Sequence, residues 1–166
     1  MTEDNVASAN LFYERGNFYY EKGDFKTAIW YYDKAINADP HDHRFYYNRG
    51  LAEACLENYD NAIPDIQKVI ELKENFADAY YILGLAYEYK KMFDEAMKQY
   101  KNALDRNPDF KEAQNRLEGC KVKKKAAAYS SRISKASSSK GNSSEHSALL
   151  ERVRNVVKEG KIFKGL

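Results

Sequence analysis

Residues 77–110, ADAYYILGLAYEYKKMFDEAMKQYKNALDRNPDF, decide the fold. They read as a complete helix, a short turn and a second helix. Gly84 has counterparts at Gly50 and Gly16, and Ala96 has counterparts at Ala62 and Ala28, so the chain is self-similar at a period of about 34 residues. Working outward gives three units, 9–42, 43–76 and 77–110.

In the first helix of each unit, Phe12, Gly16 and Tyr19, then Tyr46 and Gly50, then Tyr80, Gly84 and Tyr87 fall on one stripe. Glycine in mid-helix costs about 1 kcal/mol relative to alanine, so its return at every repeat predicts a neighbouring helix packed on bare backbone. The second helices carry Phe25, Ala28, Tyr32 and Ala35; Tyr59, Ala62, Ile66 and Val69; and Phe93, Ala96, Tyr100 and Ala103, each a buried face of alternating large and small residues. Pro40 and Pro108 end the first and third of these helices. Glu74 holds the matching place in the second, which predicts a less sharply defined junction, and Pro64 is placed in that helix's first turn.

These residues resemble the tetratricopeptide repeat family. The third unit carries the pattern nearly whole, with Tyr80, Leu83-Gly84, Tyr87, Ala96, Tyr100 and Pro108; the first two depart from it at Arg15 and Arg49, where leucine is usual, and the second also at Glu53 and Glu74. The resemblance implies an all-α, right-handed superhelical solenoid whose first helices line a concave, peptide-holding groove.

After the third unit, Ala113, Leu117 and Cys120 form an apolar stripe, so 111–128 reads as the solubilising helix that a stacked array needs at its end. Residues 1–128 are therefore one repeat domain. Residues 129–143, rich in serine and lysine, read as a flexible linker, because they cannot bury enough apolar surface to offset their ordering entropy. In 144–166, Leu149, Leu150, Val153, Val156 and Val157 share one side of a basic amphipathic helix that Ser144 caps and Gly160 stops.

Charge follows the same division. Residues 1–120 hold 15 basic and 22 acidic side chains, and 121–166 hold 12 and 3, giving an acidic body and a basic tail. Cys55 and Cys120 both lie in apolar stripes, which argues against a disulfide framework and for a reducing compartment; cytoplasm is expected, with the nucleus as an alternative. The N-terminus has no basic-then-apolar secretory pattern, and no apolar run approaches the roughly 18 residues of a membrane span.

One step of about 100° from the packing stripe lies the expected groove face: Tyr13, Asn17 and Tyr20; Tyr47, Leu51 and Ala54; Tyr81, Leu85 and Glu88. Tyr13, Tyr47 and Tyr81 recur with the repeat and should form a ladder, with Asn48 and Tyr89 near the same surface. Tyrosine gives rigid contact area and asparagine can bond both N–H and C=O of an extended peptide; the alternative is that some of these tyrosines only pack repeats together.

The family's best-known grooves are carboxylate clamps for chaperone C-terminal tails, and the resemblance maps the clamp's two asparagines onto Asn17 and Asn48. Its basic positions fall on Tyr13, Asp78 and Ile82, at a loss of roughly 1.5 to 3 kcal/mol per charge-assisted bond. Chaperone tails are therefore disfavoured on sequence, with Arg44 or Arg15 left to compensate from another angle, and a neutral or mildly basic segment is expected instead.

The final helix has three accounts: a solvated tail, contact with RNA or an anionic membrane surface, or docking on a partner or in this chain's own acidic groove through a flexible tether. Catalysis finds no support. His41 and His43 stand apart from any other histidine or cysteine cluster, and no glycine-rich phosphate loop follows a strand. The reading is an adaptor, co-chaperone-like module without cofactor or metal that binds another protein in its groove; the alternative is a factor that uses its basic tail on RNA or a membrane surface.

Overall fold

The computed structural model describes residues 3–138. Their backbone runs through α1 (Glu3–Glu21), α2 (Phe25–Ala38), α3 (His43–Cys55), α4 (Tyr59–Leu72), α5 (Ala77–Tyr89), α6 (Phe93–Arg106) and α7 (Lys111–Ser138). Asp24 starts α2 by accepting a hydrogen bond from the Thr27 amide at 3.2 Å, and Asp42 starts α3 by accepting from the Arg44 amide at 2.9 Å. Each first helix closes through a residue in the left-handed region at one repeating place: Gly23 (φ 77°), Glu57 (φ 60°) and Lys91 (φ 61°). Only the first repeat fills it with glycine, the residue that adopts this conformation without strain.

The helices stack in chain order, and α1 also meets α3 while α3 meets α5, so the odd-numbered helices form one wall of a solenoid. Ala28, Tyr32 and Ala35, Ala62, Ile66 and Val69, and Ala96, Tyr100 and Ala103 are all fully buried. The glycines do what the sequence predicts. A Cβ on Gly84 would stand 2.5 Å from the Tyr100 ring, and one on Gly50 would stand 2.9 Å from Ile66 Cδ1. Each second helix presses its large central residue onto glycine backbone, and this contact sets the pitch of the helix pair.

Four boundaries differ from the sequence reading. First, α1 starts at Glu3, well ahead of Ala9. Second, α4 ends at Leu72, in register with Ala38 and Arg106 despite Glu74, because the Lys73 amide donates to the Val69 carbonyl at 2.8 Å as its counterparts do. That junction is as sharp as the others. Third, Pro64 is the sixth residue of α4 rather than part of its first turn, and so offers no N–H to the Asp60 carbonyl.

Fourth, α7 does not stop at 128 but continues to Ser138, through ten residues read as linker. The stretch from Lys121 to Ser138 contains neither proline nor glycine, and once a helix is nucleated each further residue adds a bond at little cost. The Ser134 hydroxyl also donates to the Ser130 carbonyl at 3.1 Å, which satisfies a serine inside the helix. The tail-docking residues Leu149, Leu150, Val153, Val156 and Val157 lie outside the described residues. The self-docking argument loses ten residues of its flexible tether to α7.

Candidate peptide-binding groove

Tyr13, Asn17 and Asn48 meet on the wall formed by α1 and α3. The Asn48 amide donates to Asn17 Oδ1 at 2.7 Å and to the Tyr13 hydroxyl at 3.2 Å, and the buried Tyr32 hydroxyl of α2 donates to the same Asn17 oxygen at 2.9 Å. This network fixes the orientation of both asparagine side chains. Burial pushes the Tyr32 hydroxyl's pKa well above its ordinary value, so it acts as a neutral donor throughout the physiological range.

Beside the network lies a pocket of about 230 Å³ lined by Tyr13, His43, Arg44, Tyr47, Asn48 and Phe76. The Tyr47 ring leans on Phe76 at 5.2 Å between centroids, and burial, helped by the Asp78 charge, pushes its pKa up to about 12. Arg44 lies over the Tyr13 ring at 5.2 Å, holds Asp42 through Nε and Nη2, and reaches Asn10 at 3.2 Å; among the described residues its Nη1 has no partner. Lys73 sits over Phe76 at 4.7 Å and 3.5 Å from His43 Nε2, with no carboxylate partner among the described residues. The His43 pKa is lowered by burial and then by the Lys73 charge, which keeps the ring neutral near pH 7.

The other expected groove residues lie elsewhere. The Tyr81 ring packs on Phe110 at 4.9 Å and on Tyr100 at 5.9 Å, and Leu85 joins the cluster of Ala96, Tyr100, Leu117 and Cys120. Both therefore pack toward α7, as Tyr47 packs toward α5. Tyr20 turns edge-on to Phe25, with its hydroxyl 3.6 Å from Cys55 Sγ. Leu51 is half-buried, and the exposed Tyr89 stacks flat on Tyr59 at 5.1 Å, away from the pocket. The contact of Tyr81 with Phe110 repeats that of Tyr47 with Phe76 one unit later, so the tyrosine ladder keeps its register along the wall.

Sequence reasoning missed His43, Lys73 and Phe76. They stand at or near helix junctions, where the repeat pattern is weakest. Their signal was the clustering of basic and aromatic residues at two successive junctions, 43–44 and 73–76.

At the far end of the wall, Glu88 is buried and receives hydrogen bonds from the Tyr100 hydroxyl and Lys123 Nζ, both at 2.6 Å, with Arg116 at 3.7 Å. Burial alone would raise its pKa, but the bonds from Lys123 and Tyr100 and the charges of Lys123 and Arg116 outweigh it and hold it below its ordinary value. Lys124 pairs with Asp94 and Lys121 with Glu118. Lys123 and Lys124 thus clasp α7 to the third repeat. Cys120 is fully buried with its thiol pKa pushed up to about 12, chiefly by burial, as befits a packing residue.

Comparison with known proteins agrees with this geometry. Profiles of the tetratricopeptide repeat match residues 43–76 and 77–110, and one described as TPR repeat matches 16–54. The chain is a tetratricopeptide repeat protein. It is 35% identical over 107 residues to Hsp70-Hsp90 organizing protein 2 of Arabidopsis thaliana, a match covering 64% of this chain and 19% of that protein. This chain thus spans about a fifth of the length of such a relative. Among solved structures, it superposes on the first TPR of Spaghetti (RPAP3) bound to the HSP90 peptide SRMEEVD with a TM-score of 0.68, at 29% identity, covering 70% of this chain and 92% of that one. It also superposes on the TPR2B domain of yeast Sti1 in complex with an Hsp70 peptide with a TM-score of 0.62, at 27% identity, covering 69% and 93%. The fold is that of a protein-interaction module.

Proposed function

We propose that this chain is a noncatalytic adaptor that holds the C-terminal tail of a partner protein along α1 and α3, with the acidic end of the tail at the pocket between Tyr13 and Phe76. The observation that carries the reading is the pairing of Asn17 with Asn48 beside the free Nη1 of Arg44 and the carboxylate-free Lys73.

The sequence reading disfavoured chaperone tails because Tyr13, Asp78 and Ile82 stand where the family's clamp has cations. That preference finds no support in the relatives, whose solved complexes hold HSP90 and HSP70 peptides. Arg44, which lines the pocket with Asn48, and Lys73, which lies over the pocket's Phe76, supply positive charge from the helix junctions instead. Electrostatic pairing in a half-open pocket contributes less than in a buried one, so the expected dissociation constant is on the order of 10 µM and weakens with salt. The tail reading has less behind it, since Lys121, Lys123 and Lys124 are all engaged in ion pairs. The unpaired Cys55 and Cys120 fit a reducing cytoplasm.

Fluorescence anisotropy with labelled SRMEEVD tests this. The peptide should bind at micromolar concentration, and either amidation of its C-terminus or Arg44→Ala should weaken it about tenfold. Undiminished binding of the amidated peptide would show that the groove reads side chains rather than the terminal carboxylate, and no binding at about 1 mM would remove acidic tails as the ligand class.

A further inference from the structure

Three positions of each first helix face the preceding repeat. In α3 they are Phe45, Arg49 and Ala52: Phe45 packs on Ala35, Ala52 packs on Ala28 and Tyr32, and Arg49 bonds Asp33. In α5 they are Ala79, Leu83 and Ala86, all buried, the first two against Ile66 and Val69 of α4. In α1 the same register holds Leu11, Arg15 and Phe18. Leu11 is 52% exposed and Phe18 55% exposed, because no helix precedes α1 among the described residues. This is an inter-repeat docking face that no described residue covers, while α7 covers the opposite end of the stack.

We propose that a second copy of this chain covers this face, with the two α1 helices antiparallel about a two-fold axis between Glu14 and Arg15. The order of residues along α1 is self-complementary about that point. Leu11 then faces Phe18 of the second copy and Phe18 faces its Leu11, since the two lie equally far from the axis. Glu14 faces Arg15 and Arg15 faces Glu14, so both exposed and otherwise unpaired charges meet an opposite charge. A parallel arrangement would set Arg15 against Arg15 and Glu14 against Glu14. An isologous contact of this kind closes at two copies, which removes the exposed apolar pair without leaving a new open end. The spacing of Leu11, Glu14, Arg15, Phe18 and Lys22 is that of a helix–helix seam, three and four residues apart. Lys22 lies back over the Phe18 ring at 5.6 Å, a position that keeps it clear of the axis. The peptide pocket is on a different face of α1, so the dimer would present two grooves at once.

Sedimentation analysis of the full chain from about 1 to 200 µM tests the proposal; a seam of four apolar and four charged side chains is small, so the expected dissociation constant is on the order of 10 µM. Phe18→Glu should raise it at least about tenfold, and Glu14→Arg or Arg15→Glu alone should each raise it several-fold by placing like charges across the axis. The combined Glu14→Arg, Arg15→Glu chain restores every opposite-charge pair and should return to within about twofold of the original. All these positions are exposed, so circular dichroism melting curves taken at about 1 µM, below the expected dissociation constant, should be unchanged, which separates loss of association from loss of fold. A chain that remains monomeric over the whole range, association that survives Phe18→Glu, or a combined variant as weak as the single ones would each overturn the proposal.

Discussion

At the junction of the first two repeats, Arg49 of α3 bonds Asp65 of α4 through Nε at 2.8 Å and Nη2 at 2.5 Å, and Asp33 of α2 through Nη1 at 2.6 Å. At the next junction the same register holds Leu83, buried among Ile66, Val69 and Ala79. The two junctions have the same helix geometry, so backbone stacking does not depend on what fills this place. What differs is the penalty for a mistake. Asp65 is nearly fully buried, and burial raises its pKa against the opposing bonds of Arg49, so the ionic junction is stable only while both partners are present. An apolar side chain needs no partner. Glu53, buried beside Arg49 and bonded by Asn58 and Asn61, makes the first junction still more polar.

The comparison breaks most severely at Arg49. Arg49→Ala should cost about 4 kcal/mol in denaturant unfolding, because it strands a buried carboxylate, whereas the double change Arg49→Leu, Asp65→Leu should lie within about 1 kcal/mol of the original chain. If the single change costs less than about 1 kcal/mol, the two junctions are energetically alike and the ionic network is ornamental.

A smaller effect is expected at Glu88, where an ionic contact again holds one element to the next. Glu88→Gln keeps an acceptor for Tyr100 but loses the attraction of Lys123 and Arg116, both partly solvated, and should cost about 2 kcal/mol and lower the exchange protection of the Leu117 and Cys120 amides. Because the folded pKa of Glu88 lies below its unfolded value, this contribution is present above the ordinary carboxyl value of 4.5 and is lost as pH falls through the depressed folded value. Exchange at α7 should therefore accelerate on acidification in the original chain more than in the variant. Equal acceleration in both would assign the pH dependence to other carboxylates.

The smallest effect concerns the turns. Glu57 and Lys91 hold a left-handed conformation that Gly23 adopts freely, so Glu57→Gly or Lys91→Gly should raise stability by about 0.5 kcal/mol, strain relief being partly offset by the looser unfolded chain. A thermal melt resolves the sign.

The features legible in the sequence were those set by spacing within one helix or one repeat. Gly16, Gly50 and Gly84 announced a close approach, and Tyr32, Ile66 and Tyr100 make it. Ala113, Leu117 and Cys120 announced a capping face, and they are buried. The groove was only partly legible. Tyr13, Tyr47 and Tyr81 share one register and pack on Phe45, Phe76 and Phe110, but the register did not reveal that the pocket beside Asn48 is lined by the first two. Arg44 was visible as a cation without a place; the bond to Asn10 and the stacking on Tyr13 that position it span a whole repeat.

Helical periodicity is a local property, and by itself it determined the number of repeats, their register and the side of each helix that must be buried. Which polar residues meet across repeats depends on contacts between residues about 16 to 35 positions apart, such as Arg49 with Asp33 and Lys123 with Glu88. Those pairings follow from how one helix pair rotates against the next. The tertiary structure alone therefore decided that Asn17 and Asn48 share a wall, that Lys123 and Lys124 clasp their own domain, and that Leu11 and Phe18 stand uncovered at the other end.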